Sequence, residues 1–221
     1  MSEIKRRLQH HFADAEQQFE ASTFGMWIFL VTEIMFFGGL FTAYIVYRIT
    51  YPDVFLAGAQ HLNWMVGTFN TVVLIGSSLT MVMAIHGAQT DDRPMLERYM
   101  LGTMFLGTVF LVVKGFEYYE KFQHGLIPGP LWHYTGPDSA HAQLFFSIYF
   151  ALTGLHAVHM IIGIVILAIL YRMARHGRFD ATWYTPVECM GLYWHFVDLV
   201  WIFLFPLLYL IGRHGPALAG H

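Results

Sequence analysis

Five long apolar runs alternate with short polar connectors along this chain: Phe24–Tyr47, Trp64–Ile85, Tyr99–Phe122, Leu144–Tyr171 and Met190–Ile211. At a rise of about 1.5 Å per residue, about 20 apolar residues cross about 30 Å of hydrocarbon. Each run therefore predicts a transmembrane helix, and their length rules out strands. The connectors "YPDVFLAGAQ", "HGAQTDDRPMLER", "HGLIPGPLWHYTGPDSA" and "RHGRFDATWYTPVE" carry loop punctuation, and none is large enough to fold as a separate domain. The expected architecture is all-α, a polytopic membrane bundle of five transmembrane helices. A polar segment covers residues 1–23, a single five-helix domain 24–212 and a short external tail 213–221. The opening Lys5, Arg6 and Arg7 mimic the start of a signal peptide, but "LQHHFADAEQQFEAS" follows where an apolar core is needed, so no cleaved signal is expected. A short helix is expected through "FADAEQQFE".

Composition agrees with the pattern: 56% of the 221 residues are hydrophobic and 12% charged, against about 25% charged in a typical soluble domain. The net charge of −3 makes no electrostatic case for nucleic acid or an acidic substrate. Where the charges fall matters more. Lys5, Arg6, Arg7, Arg93, Arg98, Arg172, Arg175 and Arg178 lie on one side of the five spans, and Arg48, Lys121 and Arg213 on the other. That asymmetry places the N-terminus in the cytoplasm and the C-terminus outside. The single cysteine, Cys189, excludes an internal disulfide, and without a CxxC motif any cofactor would have to rest on histidine. Small residues at Gly38, Gly39, Gly67, Gly76–Ser78, Gly102, Gly107, Gly154 and Gly163 read as faces where helices approach closely. Pro206 removes one helical hydrogen bond, to the carbonyl of Ile202, and is expected to bend the last helix.

Ionisable groups at membrane depth are costly and need a partner or a task. Glu33 lies about 13 Å into the first span, near the midplane, and Asp198 reaches a similar depth in the fifth. His195 and Asp198 share a helical face at i, i+3, as do His156 and His159 in "TGLHAVHM" and Lys114 and Glu117 in "VVKGFEYYEKF". Spacing alone leaves two readings of each. Glu33, His195 and Asp198 serve proton-linked work or simply join helices. Lys114 and Glu117 form a structural ion pair or a functional one. His156, His159 and Asn70 pack helices or meet lipid headgroups, since two histidines on one helix make a poor metal site.

Four stretches carry a resemblance. "YWHFVDLVWIFLFPLLYLIG" (193–212) is similar to the last helix of subunit III of haem-copper oxidases, with its WHFVDxVWxFLF pattern. "GMWIFLVTEIMFFGGLFTAY" resembles the family helix whose intramembrane glutamate reacts with carbodiimides, and Glu33 stands in that place. "FNTVVLIGSSLTMVMAIHG" resembles the LNTxxLLxSS helix, and "YFALTGLHAVHMIIG" the TGxHGxHVxxG helix, with His156 and His159 on its two histidines. Two features depart from the family pattern. Many members have seven helices, and this chain starts at what would be the third. Lys114 stands where glutamine is usual.

The resemblance implies a multi-pass subunit of the bacterial inner membrane with no catalytic or metal residue and no cofactor of its own. Haem and copper would sit in partner subunit I, with subunits II and IV, phospholipid, cytochrome c as electron donor and a respiratory supercomplex as further partners. The implied complex is an aa3- or caa3-type cytochrome c oxidase that reduces oxygen and pumps protons. This subunit would support proton uptake, lipid binding and stability of the catalytic subunit. A quinol oxidase or nitric oxide reductase subunit is the alternative within the family, and a free-standing proton-coupled transporter the alternative outside it.

Overall fold

The computed structural model describes residues 12–130, 132–134 and 139–211. Lys5, Arg6, Arg7, Arg213 and the 213–221 tail lie outside the described residues. Among the described residues six α-helices follow one another: α1 Ala15–Thr50, α2 Pro52–Gln60, α3 Trp64–Gln89, α4 Arg93–Gln123, α5 Ser139–Arg175 and α6 Thr185–Phe205. A π-helical segment, Pro206–Leu210, continues α6. Five of these helices are long and apolar enough to span a membrane, as the apolar runs predict, and no strand occurs among the described residues.

Two boundaries differ from the sequence reading. The short helix expected in "FADAEQQFE" is the first part of α1. Asp14 accepts the Gln17 N–H at 2.8 Å while the Gln17 side chain accepts the Ala13 N–H at 2.8 Å, a reciprocal cap that starts the helix, and nothing between there and the apolar run breaks it. "YPDVFLAGAQ", read as a loop, folds mostly as α2. Pro52 occupies its first turn, where its fixed φ and missing N–H cost nothing. The helix buries Phe55, whose ring meets Tyr44 at 5.4 Å and Phe145 at 5.2 Å.

α6 lies at the centre, packed on α1, α3 and α5. Its Trp194 and Trp201 are fully buried, with Phe110, Phe145, Phe146 and Tyr149 around the same core. The indole N–H of Trp194 donates to Ser77 Oγ at 3.1 Å and that of Trp201 to Thr71 Oγ1 at 3.1 Å. α1 is peripheral. It buries just Leu30, Phe37 and Tyr44, one narrow seam at intervals of seven, while Trp27, Met35 and Ile49 face outward. Gly67 and Gly107 behave as packing sites: a Cβ at Gly107 would lie 2.9 Å from the Trp194 ring, and one at Gly67 2.7 Å from Phe205. Gly38 and Gly39 do not, for nothing lies within 4 Å of a Cβ placed at either.

Candidate functional site

The polar residues that the spacing of the spans singles out fall into three groups. At the edge of the bundle, Glu33 on α1 meets His159 on α5, Oε2 to Nε2 at 3.0 Å. The Nδ1 of His159 lies 2.9 Å from the Leu155 carbonyl, which can only accept, so Nδ1 carries a proton. The Glu33–His159 contact then holds one further proton, either on a carboxylic acid donating to imidazole or on an imidazolium donating to carboxylate. Tyr193 donates to the His159 carbonyl at 2.8 Å, and the Phe37 ring lies 5.3 Å from the imidazole. The two side chains remain 17% and 11% exposed, so the pair lies beside the outer surface of the helices.

In the far half of the bundle, Lys114 and Glu117 form the expected i, i+3 ion pair at 2.9 Å. Two tyrosines complete it. Tyr149 donates to Glu117 Oε1 at 2.8 Å and Tyr209 donates to the same oxygen at 2.7 Å. The ammonium also reaches both phenol oxygens and lies 5.2 Å from the centre of the Trp201 ring. Every charge is thus surrounded by hydrogen-bonding or π partners, the condition under which an ion pair is tolerated out of water.

The third group lies along α6 and its neighbours. His195 Nδ1 lies 2.7 Å from Ser78 Oγ on α3. Its partner is therefore a hydroxyl on another helix rather than Asp198, although the two share a face. Asp198 is buried, and neither carboxyl oxygen has a hydrogen bond. Asn70 and His156 are likewise enclosed, without hydrogen-bond partners on their side-chain nitrogen and oxygen atoms. The His156 ring is wedged between Phe110 at 5.3 Å and Trp201 at 5.2 Å, surroundings that favour packing over contact with a lipid headgroup. Among the described residues, no three His, Cys, Asp or Glu side chains are placed to hold a metal ion.

Sequence reasoning missed Tyr149 and Tyr209 as partners of the ion pair, and read Ser78 as a small packing residue rather than a hydrogen-bond partner. Hydroxyls inside apolar spans were the available signal. Nothing in their spacing says which helix they face.

The chain matches the family model described as cytochrome c oxidase subunit III over residues 7–213. It is 35% identical over 189 residues to cytochrome c oxidase subunit 3 of Synechocystis sp., an overlap of 85% of this chain and 75% of that one. It is 31% identical over 195 residues to the heme-copper oxidase subunit I+III of Aeropyrum pernix, covering 84% of this chain and 22% of the fused one. With the cytochrome bo(3) ubiquinol oxidase subunit 3 of Buchnera aphidicola it shares 31% identity over 190 residues, 86% of this chain and 93% of that one.

Proposed function

The chain belongs to the cytochrome c oxidase subunit III family, and from that premise we propose that it is the non-redox subunit III of an aa3- or caa3-type oxidase, supporting proton uptake and the working life of the catalytic subunit. As a haem-copper oxidase subunit with five membrane-spanning helices, it is a multi-pass protein of the bacterial inner membrane. The family membership is the one its four ordered motifs imply.

One observation carries the functional reading: the Glu33 carboxyl and the His159 imidazole meet across 3.0 Å at a part-exposed edge of the bundle. A carboxyl–imidazole pair at membrane depth that keeps some access to its surroundings is suited to taking up and releasing a proton. The Aeropyrum pernix chain, whose name joins subunits I and III, supports direct association with a subunit I that carries haem and copper. Subunits II and IV, and a supercomplex beyond them, complete the proposed assembly. Phospholipid is proposed beside His159 and at the arginines of the inner loops, where α4 begins and α5 ends. There Arg93, Glu97, Arg98 and Tyr171 line a cavity of about 520 Å³, with Pro94 and Leu101 as apolar walls.

The test is made on the purified complex. Glu33→Gln and Asp198→Asn are expected to leave haem content and subunit composition intact while shortening the lifetime under turnover, or slowing proton uptake, severalfold. Loss of the haem spectrum in either variant overturns a non-redox role. The Buchnera aphidicola relative favours a second reading, a subunit of a quinol oxidase. Oxidation of cytochrome c by the complex without quinol oxidation supports the first reading; quinol oxidation alone supports the second.

A further inference from the structure

At the end of the bundle away from the start of α1, a cavity of about 540 Å³ is lined by His61, Glu120, Lys121, His124, His133 and Tyr134. Its volume falls in the range of small-ligand sites, about 300–1,000 Å³. The backbone builds it. α4 ends in a Schellman turn, with the Leu126 N–H on the Lys121 carbonyl at 3.0 Å and the Gly125 N–H on the Phe122 carbonyl at 3.1 Å. Gly125 has φ +64°, and a Cβ there would lie 2.9 Å from His133 Cβ. The chain therefore reverses closely enough for the His133 N–H to donate to the Gly125 carbonyl at 2.9 Å, which sets His133 next to the end of α4.

Among the described residues, the charge at the base of this cavity is unbalanced. Lys121 is 3% exposed, and its ammonium donates to the His61 carbonyl at 2.7 Å. Among the described residues no carboxylate lies within ion-pair distance of it. Glu117, one turn back, is engaged by Lys114; Glu120 is exposed to solvent. The buried column Lys114, Glu117 and Lys121 thus has two cations and one anion, and a buried charge without a counter-charge is costly. The imidazoles add to the demand. His124 Nδ1 lies 2.8 Å from the Glu120 carbonyl, to which it can only donate, so Nε2 is left to face a ligand and donates to an oxyanion as the imidazolium, the form an anion beside it favours. Burial first, then the positive neighbours Lys121 and His124, push the His61 pKa below its ordinary value, and an anion between them would relieve the second cause.

We propose that this cavity binds a phosphate-type oxyanion, free in solution or carried on a phospholipid headgroup, between the Lys121 ammonium and the imidazoles of His61 and His124. Donors come from the last turn of α4, from its C-cap and from the α2–α3 connector. Such an arrangement suits a tetrahedral group with several acceptor oxygens. A shared metal ion is the other ligand three imidazoles suggest, but these side chains are not placed to hold one.

The test uses the purified oxidase complex, intact and with Lys121→Gln, Lys121→Arg or His124→Gln. Inorganic phosphate is titrated and followed by phosphorus NMR line width. In parallel, delipidated complex is given phosphatidylglycerol or a phosphate-free glycolipid, and retained lipid is weighed by native mass spectrometry. Saturable phosphate binding, weakened about tenfold by Lys121→Gln, as loss of a charged hydrogen bond implies, and retained by Lys121→Arg, assigns a free oxyanion. Selective retention of phosphatidylglycerol that is lost in Lys121→Gln assigns a headgroup. If Lys121→Gln does not assemble, the exposed His124→Gln carries the test, with a severalfold loss expected. Binding of neither ligand, or binding that none of the substitutions changes, overturns the proposal.

Discussion

Lys114 and Glu117 show what a charge needs inside a membrane helix. The carboxylate accepts from two tyrosines and from the ammonium, and the ammonium lies against aromatic rings. Taking away one partner leaves the other charge buried and uncompensated, at a cost of about 3–5 kcal/mol. Glu117→Gln and Lys114→Gln are each expected to lower the temperature at which the subunit denatures in the complex. The double variant should lose much less than the sum, because it leaves no orphaned charge; a strictly additive double variant contradicts the pairing. The i, i+3 spacing made this pair legible in the sequence. Its two tyrosines were not, since they come from positions 149 and 209, on segments whose neighbours spacing does not disclose. His195 is the same lesson in reverse: spacing associated it with Asp198, whereas Ser78, on another helix, lies closest in hydrogen-bonding terms.

Among the elements, the glycines separate two kinds of helix surface that look alike in sequence. Gly107 admits the Trp194 ring, while Gly39 faces open space on the outer side of α1. Gly107→Ala is expected to cost about 1–3 kcal/mol through overpacking. Gly39→Ala should be neutral or stabilise by up to about 1 kcal/mol, since alanine is the better helix former. Thermal denaturation of the two variants in the same complex compares them directly, and equal losses would contradict the packing described. The end of α6 was half legible. Pro206 announces a missing hydrogen bond, and the helix responds by widening into a π-helical segment over Pro206–Leu210, within which Tyr209 reaches Glu117. α2 was hidden because its proline and glycine resemble turn punctuation, although proline in a first turn is also a helix start.

For the whole molecule, Arg93, Arg98, Arg172, Arg175 and Arg178 gather at one end of the bundle, and Arg48 and Lys121 at the other. A cytoplasmic N-terminus is the orientation this asymmetry favours. In a Cys189→Ser background, a membrane-impermeant maleimide added to spheroplasts is expected to label Gln123→Cys, and Thr90→Cys only after lysis; the reverse pattern would invert the topology. By itself the sequence determined that there are five spans, where the fixed charges fall and which polar residues share a turn of helix. Hydropathy, helical rise and i, i+3 spacing are properties of neighbouring residues, so a linear reading contains them. Tertiary structure alone decided that Glu33 meets His159, 126 positions away, that His195 meets Ser78, 117 positions away, and that Lys121 ends in a cavity of histidines. In lipid a span is apolar on its packed and its exposed faces alike, so no amphipathic stripe records which side a helix turns toward its partners. That choice is made by close packing around residues such as Trp194 and Gly107, and packing exists only once the helices are assembled.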